Sequence, residues 1–182
     1  DDELVQKARY LINFGIKNQE EIPHLGTNAK MNEFEAAMGL CVLDDMEKIK
    51  NKRKSLIENY KKELGIENAY PVIVAGSTHP TEEKVLFDVF NEIIKSYPEA
   101  RLVIAPRKPG RADEISKLAK QYHWESGFRS KLLEIKGARS KYPVLLIDTI
   151  GELGRIYSVG DVVFVGGSLI KHGGHNVLEP AD

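Results

Sequence analysis

Cysteine is almost absent from this 182-residue sequence, because Cys41 is its single example and an intramolecular disulfide is therefore excluded. Such cysteine usage favours a reducing, cytoplasmic setting. No apolar run approaches the ~20 residues that are needed to cross a bilayer. The N-terminus begins Asp1-Asp2-Glu3 without an initiator methionine, basic start or apolar stretch. We therefore expect no signal peptide, and a start inside a longer protein.

An excess of either charge is also missing. The formal net charge is −1, so no global basic field points to a nucleic-acid partner, although a locally basic site for a sugar phosphate remains compatible with it. Hydrophobic residues make up 42% of the chain and charged residues 29%, the balance of a folded globular protein.

Residues 1–66 have the pattern of a mainly helical segment. Asn32 and Glu35 have the spacing of a capping box, in which each side chain accepts from a free backbone N–H of the other residue. Apolar residues then recur at helical spacing. The predicted elements are a helix over 3–12, an irregular stretch over 13–27, and a long helix over 32–64 in one or two pieces.

Residues 70–182 change to an alternation of strands and helices. Fully apolar runs of four or five residues are typical of strands that are covered on both faces. They alternate with amphipathic segments, which predicts a parallel sheet with right-handed crossovers. The predicted strands are Pro71–Ala75, Arg101–Ala105, Val144–Ile147 and Asp161–Val165, and the helices are Glu82–Ser96, Arg111–Tyr122 and Gly151–Ser158.

Each predicted strand ends in polar or glycine-rich residues. Because ligands of open parallel sheets bind beyond the carboxyl ends of the strands, these loops are candidate binding loops as a set. Any one of them alone also fits the turns that such a fold needs. The candidates are Ser77 and His79, Arg107, the 150–154 turn, and Gly167 with Ser168.

Two of these loops have features that suit a phosphate. Gly151-Glu152-Leu153-Gly154 opens a predicted helix, whose free N–H groups and dipole attract anions. Arg107 could direct two hydrogen bonds to a phosphate or carboxylate, or could be a solvated surface residue. The turn is neither a GxGxxG nor a P-loop pattern, so dinucleotide and P-loop chemistry are poorly supported.

The last candidate lies between His172 and Pro180. Gly173 and Gly174 allow close approach of a ligand, and His175 or Asn176 could cap a following helix. Glu179 then falls where a carboxylate could accept from two ribose hydroxyls. His172 and His175 also suggest a metal, but no further ligands have a suitable spacing, and we expect no metal site.

Taken in order, these motifs closely resemble the C-terminal domain of bacterial 3-deoxy-D-manno-octulosonic acid (Kdo) transferases. The resemblance implies an incomplete Rossmann-like parallel sheet, the C-terminal half of a GT-B glycosyltransferase. The motifs are Ala75-Gly76-Ser77-Thr78-His79, Ala105-Pro106-Arg107, Asp148-Thr149-Ile150-Gly151-Glu152-Leu153-Gly154, Phe164-Val165-Gly166-Gly167-Ser168-Leu169 and Gly173-Gly174-His175-Asn176-Val177-Leu178-Glu179-Pro180-Ala181.

The resemblance implies that these residues bind CMP-Kdo, whose Kdo is transferred to a lipid A precursor at the cytoplasmic face of the inner membrane. Contact with the membrane and the catalytic base would belong to an N-terminal domain, so no catalytic residue and no cofactor are expected here. Donor contacts implied for this chain are Ser77, His79, Arg107, Ile150, Gly151, Glu152, Leu153, Gly167, Ser168, Asn176 and Glu179.

The beginning of the chain resembles a different family, the DegT/DnrJ/EryC1/StrS sugar aminotransferases. The similar motifs are Asn13-Phe14-Gly15-Ile16, Gly26-Thr27-Asn28-Ala29-Lys30-Met31-Asn32-Glu33 and Ala36-Ala37-Met38-Gly39-Leu40. This resemblance implies that Asn28 contacts the phosphate of pyridoxal phosphate (PLP). Lys30 is a basic position of the motif and not the Schiff-base lysine, without which aminotransferase chemistry is not expected.

Four interpretations follow from the sequence. The chain is part of a Kdo transferase, a fragment of a PLP-dependent sugar aminotransferase, a non-enzymatic join of two fragments, or a small nucleotide-binding module. We favour the first, with donor binding but no turnover by the chain alone.

Overall fold

A computed structural model describes residues 1–134, 142–171 and 173 of this chain. It contains two compact units, Asp1–Asn51 and Lys52–Asp182. We call them the N-terminal unit and the sheet unit. The division falls inside the long second helix, whereas the boundary expected from sequence lies between residues 66 and 70 and stays a prediction.

The N-terminal unit begins with helix α1 (Asp2–Leu11), whose first turn is capped by the Asp1 carboxylate. The chain then turns without regular structure, as predicted, and forms only an isolated antiparallel bridge between Asn13 and Asn28. Lys30 Nζ donates to Asn13 Oδ1 at 2.8 Å, which ties the end of this loop to its beginning.

Helix α2 (Glu33–Leu64) is a single helix of 32 residues. The predicted capping box is confirmed, because Glu35 N donates to Asn32 Oδ1 at 2.9 Å and Asn32 N donates to Glu35 Oε2 at 3.0 Å. Its last turns lie in the sheet unit, where Tyr60 and Leu64 are buried. Across the described ranges, α2 included, no helix combines the length and apolarity that a membrane crossing requires.

Within the described residues, the sheet unit contains five parallel strands, which confirms the predicted α/β class. Four of them correspond to the predicted apolar runs. The fifth was not predicted, because Ser-Gly-Phe carries no apolar run. The strands are β1 (Val72–Thr78), β2 (Arg101–Pro106), β3 (Ser126–Phe128), β4 (Val144–Leu146) and β5 (Val162–Val165). Their order in the sheet is β3-β4-β2-β1-β5.

Within the described residues, the sheet unit has four further α-helices: α3 (Glu82–Ser96), α4 (Ala112–Gln121), α5 (Arg129–Glu134) and α6 (Leu153–Tyr157). Helix α3 has the predicted bounds. Helix α6 is shorter than predicted, because Gly151 takes a positive φ of 87° and Glu152 is the N-cap residue. The helix whose N-terminus was expected to attract an anion is therefore only five residues long.

Alternate residues of the sheet face two separate cores, as the pleat requires. Val103 and Leu145 point to one face, where they pack with Tyr60 and Leu64 of α2 and with Ile156 of α6. The intervening residues face α3 and α4 and join Phe87, Phe90 and Ile115 in the second core. The end of α2 is thus part of the sheet unit's hydrophobic core.

Candidate functional site

The candidate site lies at the carboxyl edge of the sheet. Because all strands are parallel, the loops after β1, β2, β4 and β5 emerge at the same edge. The backbone joins these loops directly, since Arg107 N donates to Thr78 O at 3.0 Å and Gly166 N donates to Gly76 O at 2.8 Å. Three of the predicted binding loops therefore lie side by side.

Four of the predicted donor contacts line one cleft of about 250 Å³, which we call the strand-end cleft. They are contributed by the ends of β1 and β2 and by the turn after β4. Two prolines, two aliphatic side chains and Thr149 form the rest of its wall. The lining consists of Ser77, Ala105, Pro106, Arg107, Pro109, Ile147, Thr149, Ile150 and Leu153.

Arg107 also belongs to a second cleft of about 160 Å³, which we call the basic cleft. It adjoins the first through this arginine and contains the predicted residue His79. Its lining includes three cationic side chains, of which Arg111 is paired with carboxylates. The residues are Thr78, His79, Pro80, Arg107, Lys108 and Arg111.

The side chain of Arg107 is exposed, and no hydrogen bond or ion pair engages its guanidinium within the described part of the chain. Arg111 differs, because it donates to Glu83 Oε1 at 2.7 Å and pairs with Glu114 at 3.2 Å. Among the described residues, Arg107 therefore keeps its donors for an incoming anion, whereas Arg111 is held by carboxylates.

Ser77 has an unusual backbone, with a φ of +54° at an irregularity in the β1–β2 register. A non-glycine residue in this region is strained, which is common at ligand sites. Gly166 of the β5 loop lies directly against it, so that a Cβ added to Gly166 would overlap the Ser77 carbonyl. The close crossing of these two loops explains why glycine is needed after β5.

Glu82 holds the same loops together, although the sequence analysis did not select it. Its buried carboxylate accepts from His79 N at 2.9 Å, Gly167 N at 3.0 Å and Leu169 N at 3.1 Å. Burial would raise the pKa of Glu82, but the three N–H groups and the His79 side chain outweigh it and hold that pKa below 4.5. The His79–Glu82 spacing, which matches half of a capping box, was the available signal.

Two other predicted residues have structural partners in this loop. Gly167 has a φ of +78° and uses its N–H for Glu82, and the Ser168 hydroxyl donates to Val165 O at 2.7 Å. Their part in donor binding stays a prediction.

Glu152 lies in the turn after β4 but is engaged by protein groups. Its Oε1 accepts from Thr149 Oγ1 at 2.8 Å, and its Oε2 accepts from Tyr60 Oη at 2.5 Å and Arg129 Nε at 2.9 Å. Burial would raise the pKa of Glu152, yet these hydrogen bonds, from Tyr60 first, lower it. Between Thr149 and Glu152 the turn projects outward, with Ile150 88% exposed and Gly151 also exposed.

Several predicted residues lie away from these clefts or outside the described part. Asn28 is exposed in the N-terminal unit, paired with Asn13 through the backbone bridge. Asn176 and Glu179 fall outside the described residues, as do His172 and His175 of the alternative metal interpretation. Within the described ranges, no group of three or more His, Cys, Asp or Glu residues could hold a metal ion.

Comparison with known families gives two matches of different character. The model of the DegT/DnrJ/EryC1/StrS aminotransferase family matches residues 1–97. That range includes β1 and α3 of the sheet unit. The aminotransferase likeness therefore extends beyond the 1–66 segment that suggested it.

Several curated relatives are Kdo transferases. The chain is 36% identical over 110 residues to a 3-deoxy-D-manno-octulosonic acid transferase of Haemophilus influenzae, covering 60% of this chain and 25% of the relative. It is 34% identical over 144 residues to the Aquifex aeolicus transferase, covering 75% and 38%. The chain thus spans well under half of these relatives.

A solved structure agrees with these relatives. The C-terminal CMP-Kdo binding domain of WaaA from Acinetobacter baumannii matches with a TM-score of 0.59 and 30% identity, covering 70% of this chain and 66% of that one. This match confirms the GT-B-like character of the sheet unit.

A third relative shows how far the likeness reaches toward the N-terminus. The Rickettsia typhi transferase matches 80% of this chain at 30% identity. Because this match covers 80% of the 182 residues, it includes residues 40–140 whether it lies toward the N-terminus or toward the C-terminus. The likeness to Kdo transferases therefore includes much of α2.

Proposed function

Given that the chain belongs to the DegT/DnrJ/EryC1/StrS aminotransferase family through residues 1–97, we propose that its function nevertheless lies in the sheet unit, which binds the CMP part of CMP-Kdo. In this proposal the sheet unit is the donor domain of a glycosyltransferase that passes Kdo to a lipid A precursor in lipopolysaccharide synthesis. The observation that carries the proposal is the strand-end cleft, which unites Ser77, Arg107, Ile150 and Leu153.

The chemistry of the two clefts suits a nucleotide joined to an acidic sugar. Ile147, Ile150 and Leu153 offer an apolar wall to the base, and the Ser77 hydroxyl offers a donor and an acceptor. Arg107 stands between this cleft and the basic cleft, where the phosphate and the sugar carboxylate would lie. Together the clefts reach the lower part of the ~300–1,000 Å³ range of ligand pockets.

Arg107 has the main chemical role in this proposal. When the bond between Kdo and phosphate breaks, negative charge grows on the departing CMP. A guanidinium that lines the cleft and has no ion-pair partner among the described residues can neutralise that charge without breaking any ion pair described for it. Transfer itself takes place at the cytoplasmic face of the inner membrane and needs a base outside the described clefts, so the isolated chain binds donor without turnover.

Calorimetric titration with CMP tests this proposal. Saturable binding that weakens at least tenfold in Arg107→Ala, and that is also lost in Glu179→Ala, is the expected result. Arg9→Ala removes the same charge from an exposed site in the N-terminal unit and serves as the matched control. Absence of CMP binding by the unaltered protein refutes the proposal. Transfer of labelled Kdo by this chain alone would refute the statement that it binds donor without turnover.

The family match over residues 1–97 supports one second candidate, a contact between Asn28 and the phosphate of PLP. Titration with PLP, followed by its visible absorbance, separates the two candidates. We expect no saturable PLP band; one that is lost in Asn28→Ala would favour the aminotransferase function.

A further inference from the structure

A residue of helix α2 reaches the turn that forms one wall of the strand-end cleft. Tyr60 is 7% exposed, and its hydroxyl donates to Glu152 Oε2 at 2.5 Å across 92 positions of sequence. Burial, followed by the bond to Glu152, raises the pKa of Tyr60 well above its ordinary value. The phenol therefore keeps its proton and acts as a permanent donor.

Glu152 connects Tyr60 with the turn that lines the strand-end cleft. It does not itself line the strand-end cleft, but Thr149, Ile150 and Leu153 on either side of it do. Its second oxygen accepts from Thr149 Oγ1, so the carboxylate closes the turn from Thr149 to Glu152 on itself. The positions of Ile150 and Leu153 are thereby fixed relative to α2.

Arg129 completes the connection. Its side chain is 5% exposed, and it donates to Glu152 through Nε at 2.9 Å and to Glu63 of α2 through Nη2 at 3.3 Å. It also lies over the ring of Tyr60, 5.4 Å from the centroid. A buried arginine that is satisfied on two sides is costly to disturb, so it holds the carboxylate in one place.

We propose that Tyr60 is a positioning residue for the donor, acting through Glu152 on the Thr149–Leu153 turn of the strand-end cleft. This inference rests on the proposed function, since the donor is the CMP part of CMP-Kdo. It assigns Glu152 to the support of the cleft rather than to donor contact. It also means that the working donor site includes a residue of the helix that precedes residue 70.

Tyr60→Phe tests the proposal because it removes only the hydroxyl and keeps the buried ring. Tyr122→Phe is the matched control, since the Tyr122 hydroxyl also donates to a carboxylate, Asp88 Oδ1, at 2.5 Å. Asp88 lies on α3 and Tyr122 is the C-cap residue of α4, and neither residue lines the strand-end cleft. The removal of one hydrogen bond should weaken CMP binding about 3- to 10-fold in Tyr60→Phe and leave it unchanged in Tyr122→Phe.

A second measurement needs no ligand. The amide of Ile156 donates to the Glu152 carbonyl at 3.0 Å, and its hydrogen exchange in the free protein should speed up about 3- to 10-fold in Tyr60→Phe and stay unchanged in Tyr122→Phe. Glu152→Gln should speed up exchange of the same amide, which covers the case that Tyr60→Phe fails to fold. Equal CMP affinity in the two tyrosine variants, or unchanged exchange of Ile156, overturns the proposal. If the unaltered protein does not bind CMP, the proposed function fails and exchange alone decides whether Tyr60 positions the turn.

Discussion

Replacing Glu82 by glutamine should destabilise the sheet unit, because no orientation of an amide can satisfy all three N–H groups that this carboxylate accepts. His79 N and Gly167 N share Oε2, and Leu169 N uses Oε1. In glutamine one of these positions becomes an NH₂ group, so at least one backbone donor faces another donor.

The size of the effect follows from these contacts. A hydrogen bond to a charged group contributes about 1.5–3 kcal/mol, roughly twice a neutral one. Losing one such bond and weakening the other two amounts to several kcal/mol, which relief from burying a charge partly offsets. We therefore expect the free energy of unfolding to fall by about 2–4 kcal/mol in Glu82→Gln.

Urea denaturation followed by tryptophan fluorescence measures this change, because Trp124 is the single tryptophan and packs against Phe87 and Phe90 of α3. Glu92→Gln is the control on the same helix, where the carboxylate is exposed and meets only Lys95 in the described part. Its effect should stay within about 0.5 kcal/mol. Equal losses in the two variants would refute the role given to Glu82.

The pH dependence provides a second check. Since the folded pKa of Glu82 lies below the ordinary value of 4.5, its contribution to stability is complete above that value and disappears as the pH falls through the folded pKa. The difference in unfolding free energy between the unaltered protein and Glu82→Gln should therefore shrink on going from about pH 6 to pH 3. A difference that is constant over this range would contradict the proposed ionisation.

Two further substitutions examine the loops and the core. Gly166→Ala should lower the free energy of unfolding by about 2 kcal/mol or more, because the added Cβ overlaps the Ser77 backbone. Gly154→Ala has open space around it and should stabilise α6 by up to about 1 kcal/mol. Thermal denaturation compares the two variants, and equal changes in stability would contradict the tight crossing of the loops. Leu64→Ala removes a fully buried side chain of α2 and should lower the free energy of unfolding by about 2–5 kcal/mol in the same assay. The exposed Leu43→Ala should lower it by about 0.5 kcal/mol or less, and equal losses would place the end of α2 outside the core.

Local pattern was sufficient to predict most of the sheet unit. Four apolar runs became strands, and α3 has its predicted bounds, because burial on both faces of a parallel sheet leaves a strong mark on sequence. Strand β3 left no such mark, since only three residues pair there and one is Gly127. Its position is fixed by pairing with β4, a contact that no local pattern contains.

The candidate site could likewise be predicted only in part. Glycines and Arg107 stand next to the strand ends, where motif order points to them. The roles of Glu82 and Tyr60 could not be predicted because their partners are distant in sequence: Gly167 is 85 positions from Glu82, and Glu152 is 92 positions from Tyr60. On local pattern alone, Glu82 looks like an ordinary acidic residue in a first helical turn, yet it is fully buried.

The two interleaved cores have a consequence for how this protein can change in evolution. Neighbouring residues of β2, such as Val103 and Ile104, belong to opposite cores. Exchanging one aliphatic residue for another alters the volume of a single core, which can adjust. Deleting one residue within β2 would send each following side chain to the wrong face, spoiling both cores at once. Insertions and deletions should therefore accumulate in the loops of this lineage, while the sheet drifts by substitution alone.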